Sequence, residues 1–409
     1  MKKAYALLTV FLPVLAVYAS PIPGFDLGTF IVLIFGLVCV TFANKTSKVK
    51  MPIALLLVLV YTAFSMVMAV VDTSGYSYSS TTSIILRTVR FIFMLVIMMG
   101  IGAPSYFDYE LIEKYLRRLT LFVSVYAIIQ LVFFDFTGLK LINVIGPTKV
   151  GVGFESQLGE YEVTYRPPSI FLEPSSVIYY ILPYLSIALF ASFSGNKFGE
   201  RNKKQDFIDA VIITIGSLCT TSGQGIVAVT LVWSLWIVVS IFKKGYRKNL
   251  LISPIVIGVV LLLYFNGTFD FTLARIGIES DSMNAVDARV IGYTAFEQLS
   301  DLRKIVGTGY GNYREDIYYS SFADILFCTG YVGLILVLAM YIYLFIKGHT
   351  FQKILIVASF VIMLGGGIYT ATYLCLYLPM LFCFPNGEHH SINKFNRRRK
   401  SNEFYSEKI

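Results

Sequence analysis

Charged side chains are scarce in this sequence: Asp, Glu, Lys and Arg make up 14% of its 409 residues, whereas 56% are hydrophobic. A soluble domain carries about a quarter charged residues, so the composition excludes an ordinary soluble protein. It predicts an all-α polytopic membrane protein, with the whole chain (1–409) forming one integral membrane domain. The net charge of +9 does not indicate nucleic-acid binding. Most cations flank apolar spans, where topology and anionic lipid headgroups account for them.

Histidine and paired cysteine are also lacking where chemistry would need them. The three histidines, His349, His389 and His390, all fall on the side that we predict to be cytoplasmic, so no external imidazole is available as a base or ligand. The five cysteines lie in apolar stretches without metal-type spacing, which indicates small buried residues and not disulfides or ligands. No Asp-x-Asp sequence occurs in the external loops. We therefore expect no metal ion and no cofactor.

Apolar runs long enough to cross a bilayer recur along the chain. About twenty residues are needed for one crossing, and on that basis we expect a bundle of about twelve transmembrane helices. The predicted spans lie near 4–20, 26–43, 52–71, 84–102, 119–136, 175–193, 207–220, 224–242, 249–265, 321–346, 354–371 and 373–385. Lysine and arginine concentrate in the loops on one side. The positive-inside rule assigns that side to the cytoplasm, together with both termini and the basic tail at 386–409.

Two long loops lie on the opposite, external side, near 137–175 and 266–320. Loops longer than about 12–15 residues are usually functional or disordered, and the many aromatic and aliphatic residues of both loops argue against disorder. In the second loop, the spacing from Asp287 to Leu302 predicts an amphipathic helix on the outer face of the bundle. The few external arginines are not needed to set the topology, so they become functional candidates.

The first candidate pair, Arg166 and Glu173, precedes a predicted span. Prolines follow both residues and hold the backbone extended until the helix begins. In the functional interpretation, Arg166 binds a phosphate and Glu173 acts as a base. The alternative is that the same two residues cap the helix and form an interfacial salt bridge.

The second candidate combines a glycine-rich turn with two arginines. Gly307, Gly309 and Gly311 lie between Arg289 and Arg314. Backbone N–H groups of such a turn can hold an anion, and neighbouring guanidiniums add bidentate contacts. Acidic residues outnumber basic ones in this loop, so particular arginines, and not the overall charge of the loop, would have to hold the anion. The alternative is a flexible turn before the next span.

Three further charged residues fall at or inside predicted spans. Arg87 and Arg90 are one helical turn apart on one face. Charges within a span are costly and usually functional, which makes both arginines candidates for binding the substrate; the alternative is that their side chains snorkel to the headgroups. Asp324 begins a span beside paired tyrosines, where a buried carboxylate facing a cavity would accept a proton. The alternative for Asp324 is a favourable interaction with the helix dipole.

Together these features resemble the O-antigen polymerase and ligase superfamily of bacterial membrane glycosyltransferases. The resemblance covers the number of spans, the two external loops and the order of four short motifs. The motifs are Arg166 to Ser176, Thr221 to Gly225, Arg289 followed by Gly307-x-Gly309-x-Gly311-Asn312, and Gly330-Tyr331-Val332-Gly333. Ligases of the superfamily have a histidine just ahead of the last motif, where this chain has Tyr318 to Ser321, and this favours a polymerase. Many relatives have arginine in the second motif where this chain has Gly223, which argues against a cation there.

The resemblance implies a substrate and a location. The substrate would be an oligosaccharide repeat unit on undecaprenyl diphosphate, in the outer leaflet of the bacterial inner (plasma) membrane, with the active face periplasmic. The enzyme would transfer the growing glycan onto an incoming unit, making O-antigen or capsular polysaccharide. Glu173 or Asp324 would take the proton of the acceptor hydroxyl. Arg166, Arg289 and Arg314 would neutralise the departing diphosphate without a metal.

Two other functions remain open. A ligase joins a finished glycan to a lipid or protein acceptor, and a flippase for the same lipid-linked units has a similar number of spans. Transporters commonly show internal repeats and helices broken near the membrane midplane. Here no repeat is visible, and the ionisable residues cluster toward one external face. The expected partners are the lipid-linked substrate and membrane lipids, with a chain-length regulator and a flippase as candidate protein partners.

Overall fold

The computed structural model of the protein describes residues 1–22, 24–41, 50–71, 78–144, 147–148, 165–193, 202–243, 285–314 and 316–383, and the single residues 254, 258 and 261; for 285–288 it describes the backbone alone. All regular elements in these ranges are helical, apart from two isolated β-bridges. The all-α prediction is therefore confirmed for the described part of the chain. Most of the predicted span at 249–265, much of the first external loop, and the tail at 386–409 lie outside it.

The chain forms a succession of helices that follow the predicted spans closely. They are α1 (Lys2–Leu15), α2 (Leu27–Thr41), α3 (Ile53–Val71), α4 (Thr81–Leu95), α5 (Ala103–Tyr106), α6 (Tyr109–Thr137), α7 (Pro174–Phe190), α8 (Lys203–Cys219), α9 (Gly223–Phe242), α10 (Ala285–Glu297), α11 (Asp301–Val306), α12 (Ser321–Lys347), α13 (Thr350–Gly365) and α14 (Ala371–Phe382). A π-helical segment, Val96–Gly102, joins α4 to α5.

Local sequence signals explain where these helices begin and end. At the start of α6, the Asp108 side chain accepts a hydrogen bond from the Leu111 N–H, which satisfies one of the free donors of the first turn. At its end, Gly138 adopts a left-handed conformation with φ of 68°, and glycine does so without steric cost. The apolar run between such signals predicts the helix well, since both the run and its caps are local in sequence.

Within the described ranges, six stretches are long and apolar enough to cross a membrane. They are Ile53–Val71, Thr81–Tyr106, Tyr109–Thr137, Pro174–Phe193, Gly223–Phe242 and Ser321–Lys347. Three shorter apolar helices accompany them: Leu27–Thr41, Thr350–Gly365 and Ala371–Phe382. These stretches mark the chain as a helical, membrane-embedded protein. The total of about twelve spans and the orientation of the bundle stay predictions.

Helix α7 lies at the centre of the bundle. In its most apolar window 89% of the residues are buried, compared with 33% in α3, and α7 packs against α6, α8, α9 and α13. A helix that is apolar on all sides is expected to be enclosed by other helices in this way. The residue before α7, Glu173, is therefore held at a fixed point of the fold.

Several elements converge on the turn between α13 and α14. The Gln224 side-chain amide of α9 donates to the Gly365 carbonyl at 2.7 Å. The Tyr293 hydroxyl of α10 donates to the Leu364 carbonyl at 3.1 Å, and the Ser321 N–H at the start of α12 donates to the Gly366 carbonyl at 2.9 Å. One turn thus fixes three elements that are distant in sequence.

The amphipathic helix predicted for the second external loop is present, with different bounds. It begins at Ala285 and ends at Glu297, and the short helix α11 follows after a turn. Helix α10 packs against α12. The two helices are close at Gly292, where an added Cβ would lie 3.0 Å from the Ala323 Cβ. The helix therefore carries Arg289 to the end of the bundle where α7, α9 and α12 begin.

Candidate functional site

The turn Gly365–Gly367 forms the floor of the candidate site. Its residues have no side chains, and polar groups from other elements occupy the space that is left. A Cβ on Gly365 would lie 3.2 Å from the Arg289 Cδ, and one on Gly366 would lie 2.6 Å from the Gln224 Oε1. These glycines interrupt a predicted span. A bulkier residue at either position would displace the side chain of Arg289 or of Gln224.

Gln224 is the polar residue that ties the turn to the central helix. Its amide nitrogen donates to the Gly365 carbonyl at 2.7 Å, and its amide oxygen accepts a hydrogen bond from the Tyr179 hydroxyl of α7. Both ends of the amide are therefore used within the protein. Gln224 lies in the first turn of α9, at the kink that separates α8 from α9.

Arg289 lies beside this turn and bonds no residue that the structure describes. Its Nε would be 3.7 Å from a Cβ on Gly365, and the residue is partly buried. Among the described residues it makes no salt bridge and no hydrogen bond. A partly desolvated guanidinium that forms no ion pair among the described residues is a favourable place for an anion to bind.

Glu173 is the carboxylate at the same end of the bundle. It precedes Pro174, the first residue of α7, but its side chain makes no capping hydrogen bond. It is exposed and accepts a hydrogen bond from the Ser175 hydroxyl at 3.0 Å. No salt bridge joins it to Arg166 or to another described residue. The capping and salt-bridge alternatives for Glu173 therefore find no support in the geometry.

Tyr318 connects the arginine and the carboxylate. Partial burial raises the pKa of the Tyr318 phenol, the Arg289 guanidinium lowers it, and the Glu173 carboxylate raises it. Both charged side chains are therefore within electrostatic range of the Tyr318 hydroxyl. We call the set Glu173, Ser175, Tyr179, Gln224, Arg289, Tyr318 and Gly365–Gly367 the Arg289 cluster.

Helix dipoles add to the positive character of this cluster. Helices α7 and α9 both begin there, at Pro174 and Gly223. The N-terminus of a helix carries a partial positive charge and free N–H groups, so it favours an anion close by. The cluster therefore combines a cation that no described residue pairs, two helix N-termini, an exposed carboxylate and several hydroxyls.

The predicted anion site at Gly307, Gly309 and Gly311 is not supported by the structure. The Gly307 N–H donates to the Arg303 carbonyl at 2.7 Å, and the Gly309 N–H donates to the Cys328 carbonyl at 2.9 Å. The intervening Thr308 N–H donates to the Phe327 carbonyl at 2.9 Å. These amides already have acceptors in the protein, so they are not free to hold an anion.

The same segment, Gly307–Asn312, which we call the glycine loop, has a packing role instead. Gly307, Gly309 and Gly311 all have positive φ angles, of 84°, 103° and 83°. A Cβ on Gly307 or Gly309 would clash with backbone or side-chain atoms of α12 or α3. The loop fits against a break in α12, where Gly330 has φ of 64° and ψ of −167°. Glycine is required here by close approach of two backbones.

Two of the predicted arginines are structural. Arg87 donates to the Gly311 carbonyl at 3.0 Å and to the Ser79 hydroxyl at 3.2 Å, so it fastens α4 to the glycine loop. Arg90 forms a salt bridge of 3.5 Å with Asp26, whose side chain is 4% exposed. Their charges are compensated inside the protein, which argues against the predicted role in binding a diphosphate.

Arg314 is paired as well. Its guanidinium donates to the Asp316 carboxylate at 2.8 Å, on the surface, and this hydrogen bond lowers the pKa of Asp316. Arg166 precedes α7 and is partly buried. The role predicted for Arg166 stays a prediction.

Asp324 occupies a separate cavity. Its carboxylate accepts hydrogen bonds from the Tyr313 hydroxyl at 3.4 Å and the Cys328 thiol at 3.2 Å. Burial raises the pKa of Tyr313, and the carboxylate of Asp324 raises it further. In the described part of the chain no hydrogen bond or ion pair joins Asp324 to Glu173 or Arg289. The two carboxylates proposed as bases therefore belong to different places.

Tyr179 and the turn Gly365–Gly367 are the parts of the Arg289 cluster that the sequence analysis did not single out. A weak signal exists for the turn, since three consecutive glycines interrupt an otherwise apolar run. Tyr179 has no such signal, because tyrosine is frequent in this chain and its partner Gln224 is distant in sequence. Among the described residues there is no group of three or more His, Cys, Asp or Glu side chains that would hold a metal ion.

Comparison with protein-family models and with curated proteins gives no match for this chain.

Proposed function

We propose that this protein is a membrane glycosyltransferase that polymerises oligosaccharide repeat units carried on undecaprenyl diphosphate. It would act at the outer leaflet of the bacterial inner membrane and make O-antigen or capsular polysaccharide. The activity comes from the family resemblance of the sequence motifs, and the geometry of the Arg289 cluster supports it. Fold alone does not specify a function, so the argument depends on the cluster.

The observation that carries the proposal is that the Arg289 guanidinium, which forms no ion pair among the described residues, and the exposed Glu173 carboxylate both act on the Tyr318 hydroxyl. Transfer of a glycan from a lipid diphosphate needs two groups: a base for the acceptor hydroxyl and a cation for the departing diphosphate. The Arg289 cluster offers one group of each kind within range of a single hydroxyl, that of Tyr318. The other arginines predicted at this end, Arg87, Arg90 and Arg314, are already paired or bonded.

The proposed reaction uses these groups in one displacement. The acceptor hydroxyl of the incoming unit attacks the anomeric carbon of the growing glycan and forms the new glycosidic bond. The bond from that carbon to the diphosphate oxygen breaks, and its electron pair leaves with the lipid diphosphate. Glu173 takes the hydroxyl proton. Arg289 and the N-termini of α7 and α9 stabilise the charge of the diphosphate. The hydrogen bonds of Gln224 hold the turn against which Arg289 lies.

The experiment separates surface glycans on a gel. The cells have the chromosomal gene deleted and carry either the wild-type gene or a variant in its place. Polymerised glycan appears on such a gel as a ladder of bands, one for each number of repeat units. We expect cells with Arg289→Gln or Glu173→Gln to lose this ladder while a single repeat unit remains on its acceptor lipid. Arg314→Gln is the matched control, because it removes an external arginine that is paired on the surface. Immunoblots would establish equal amounts of each protein in the membrane.

Two outcomes would contradict the proposal. A full ladder with Arg289→Gln at normal protein level would remove Arg289 from the reaction. Loss of every unit from the surface lipid, in place of retention of one unit, would indicate a ligase or a flippase.

A further inference from the structure

A small cavity lies apart from the Arg289 cluster, between α3, the glycine loop, α12 and the turn before α14. Its lining includes six residues with oxygen-bearing side chains: Asp324, Tyr61, Thr62, Tyr310, Thr329 and Tyr369. The other lining residues are aliphatic or glycine. Polar side chains collected from four elements inside an apolar bundle need an explanation, because burying them is costly.

Among the described residues, no cation pairs with the carboxylate in this cavity. Asp324 forms no salt bridge within the described residues. Its two donors, Tyr313 and Cys328, are neutral groups at 3.4 and 3.2 Å. The Arg90 guanidinium influences Tyr310 in the cavity wall and is itself paired with Asp26.

Two tyrosine hydroxyls in the wall also lack hydrogen-bond partners among the described residues. Tyr310 is 8% exposed and Tyr369 is 6% exposed. Neither hydroxyl makes a hydrogen bond within the part of the chain that the structure describes. Both phenols lie within electrostatic range of the Asp324 carboxylate. Because both tyrosines are more than nine-tenths buried, their hydroxyls indicate that the cavity holds an occupant that interacts with them.

The two threonines of the lining have hydroxyl oxygens that can act as acceptors. The Thr62 hydroxyl donates to the Val58 carbonyl at 2.8 Å, and the Thr329 hydroxyl donates to the Ile325 carbonyl at 2.6 Å. Because each proton is directed at its own helix, the oxygen is left as an acceptor. Oxygen acceptors around one carboxylate form the environment that a hard cation prefers.

We propose that this cavity binds a small monovalent cation, with sodium the best fit. A single carboxylate compensates one positive charge, so a divalent ion would remain unbalanced in the apolar bundle. The carboxyl and hydroxyl side chains of the lining favour a hard ion over a transition metal, and the small volume favours sodium over potassium. The cation would join α3, the glycine loop and α12. This inference is independent of the proposed glycosyl transfer.

The test is the melting temperature of the purified full-length protein in detergent, measured with increasing sodium chloride and with choline chloride at equal ionic strength. An ion that binds the folded state alone raises the melting temperature steadily with the logarithm of its concentration. We expect this rise with sodium, a smaller rise with potassium and none with choline. Asp324→Asn, which keeps the shape of the side chain, should lose the sodium-dependent rise.

Further variants keep the test independent of the folding of one mutant. Thr62→Val removes one cavity oxygen and should weaken the response to sodium. Asp316→Asn is the control, because it removes a surface carboxylate that Arg314 already pairs, and its sodium response should equal that of the wild type. Equal melting temperatures of the wild type in sodium and choline would overturn the proposal. Stabilisation by acid alone, with no effect of sodium, would show a site for protons and would overturn it too.

Discussion

The Arg289 cluster and the glycine loop both combine arginine with glycine, yet they differ in what the arginine meets. In the glycine loop, Arg87 bonds the Gly311 carbonyl and the Ser79 hydroxyl. In the Arg289 cluster, the guanidinium lies beside glycines and bonds nothing that the structure describes. The same residue types therefore serve packing in one region and leave a charge available in the other. A structural arginine is therefore distinguished from a candidate binding residue by its hydrogen-bond partners, and not by its residue type.

The glycines differ in the same way. At the glycine loop, a side chain on Gly307 would meet the backbone of α12, and its φ of 84° favours glycine. At the turn beside Arg289, a side chain would meet other side chains. We therefore expect substitutions in the glycine loop to lower stability, and those in the Arg289 cluster to lower activity.

The largest expected effect is on stability, from Gly330→Ala. A Cβ there would lie 2.6 Å from the Gly307 nitrogen, at a φ of 64°, so backbone strain adds to overpacking. We expect a loss of about 3 kcal/mol in the free energy of unfolding. The measurement is the melting temperature and the monodisperse fraction in size-exclusion chromatography.

Gly138→Ala is the matched control for this prediction. Gly138 has a similar φ of 68° but no atom within 4 Å of an added Cβ. It isolates the cost of the backbone conformation, about 1 kcal/mol. Equal losses in the two variants would show that the glycine loop is not tightly packed against α12.

The next effect is that of Arg87→Gln. Glutamine removes the charge and is too short to reach both oxygens that Arg87 bonds, so α4 loses its attachment to the glycine loop. We expect a loss of about 1–3 kcal/mol, the range for hydrogen bonds that involve a charged group. Melting curves measure this, and the glycan ladder should persist wherever the variant still folds. A variant as stable as the wild type that lost the ladder would instead place Arg87 at the active site.

The smallest effect is expected for Arg314→Gln. Its salt bridge with Asp316 is on the surface, where such pairs contribute about 0–1 kcal/mol. Both melting temperature and ladder should match the wild type. A shortened or missing ladder would indicate that Arg314 binds the substrate. Pairing with a carboxylate would then no longer distinguish structural arginines from substrate-binding ones.

The helices were predictable from the sequence because their signals are local. An apolar run with a cap at each end specifies α6 without knowledge of the fold. The broken stretch at Thr221–Gly225 was likewise predicted as a junction of two helices, and the structure confirms that α8 ends at Cys219 and α9 begins at Gly223.

The site was predictable only in part because its contacts are long-range. Arg289 and Glu173 were identified as external charges, but nothing local shows that one hydroxyl lies within range of both. The prediction for Gly307, Gly309 and Gly311 failed for a related reason. A glycine-rich turn that binds an anion and one that packs against a broken helix have the same sequence, and only the acceptors of their N–H groups distinguish them.

The most direct test of this account is the melting temperature of purified wild type and Arg289→Gln, each with and without inorganic pyrophosphate as the anion probe. We predict equal melting temperatures without the probe, because Arg289 bonds nothing in the described protein, and stabilisation by pyrophosphate of the wild type alone. A lower melting temperature for Arg289→Gln without the probe would contradict the account, since it would make Arg289 structural. An equal response of both proteins to pyrophosphate would contradict it as well, since the anion would then bind elsewhere.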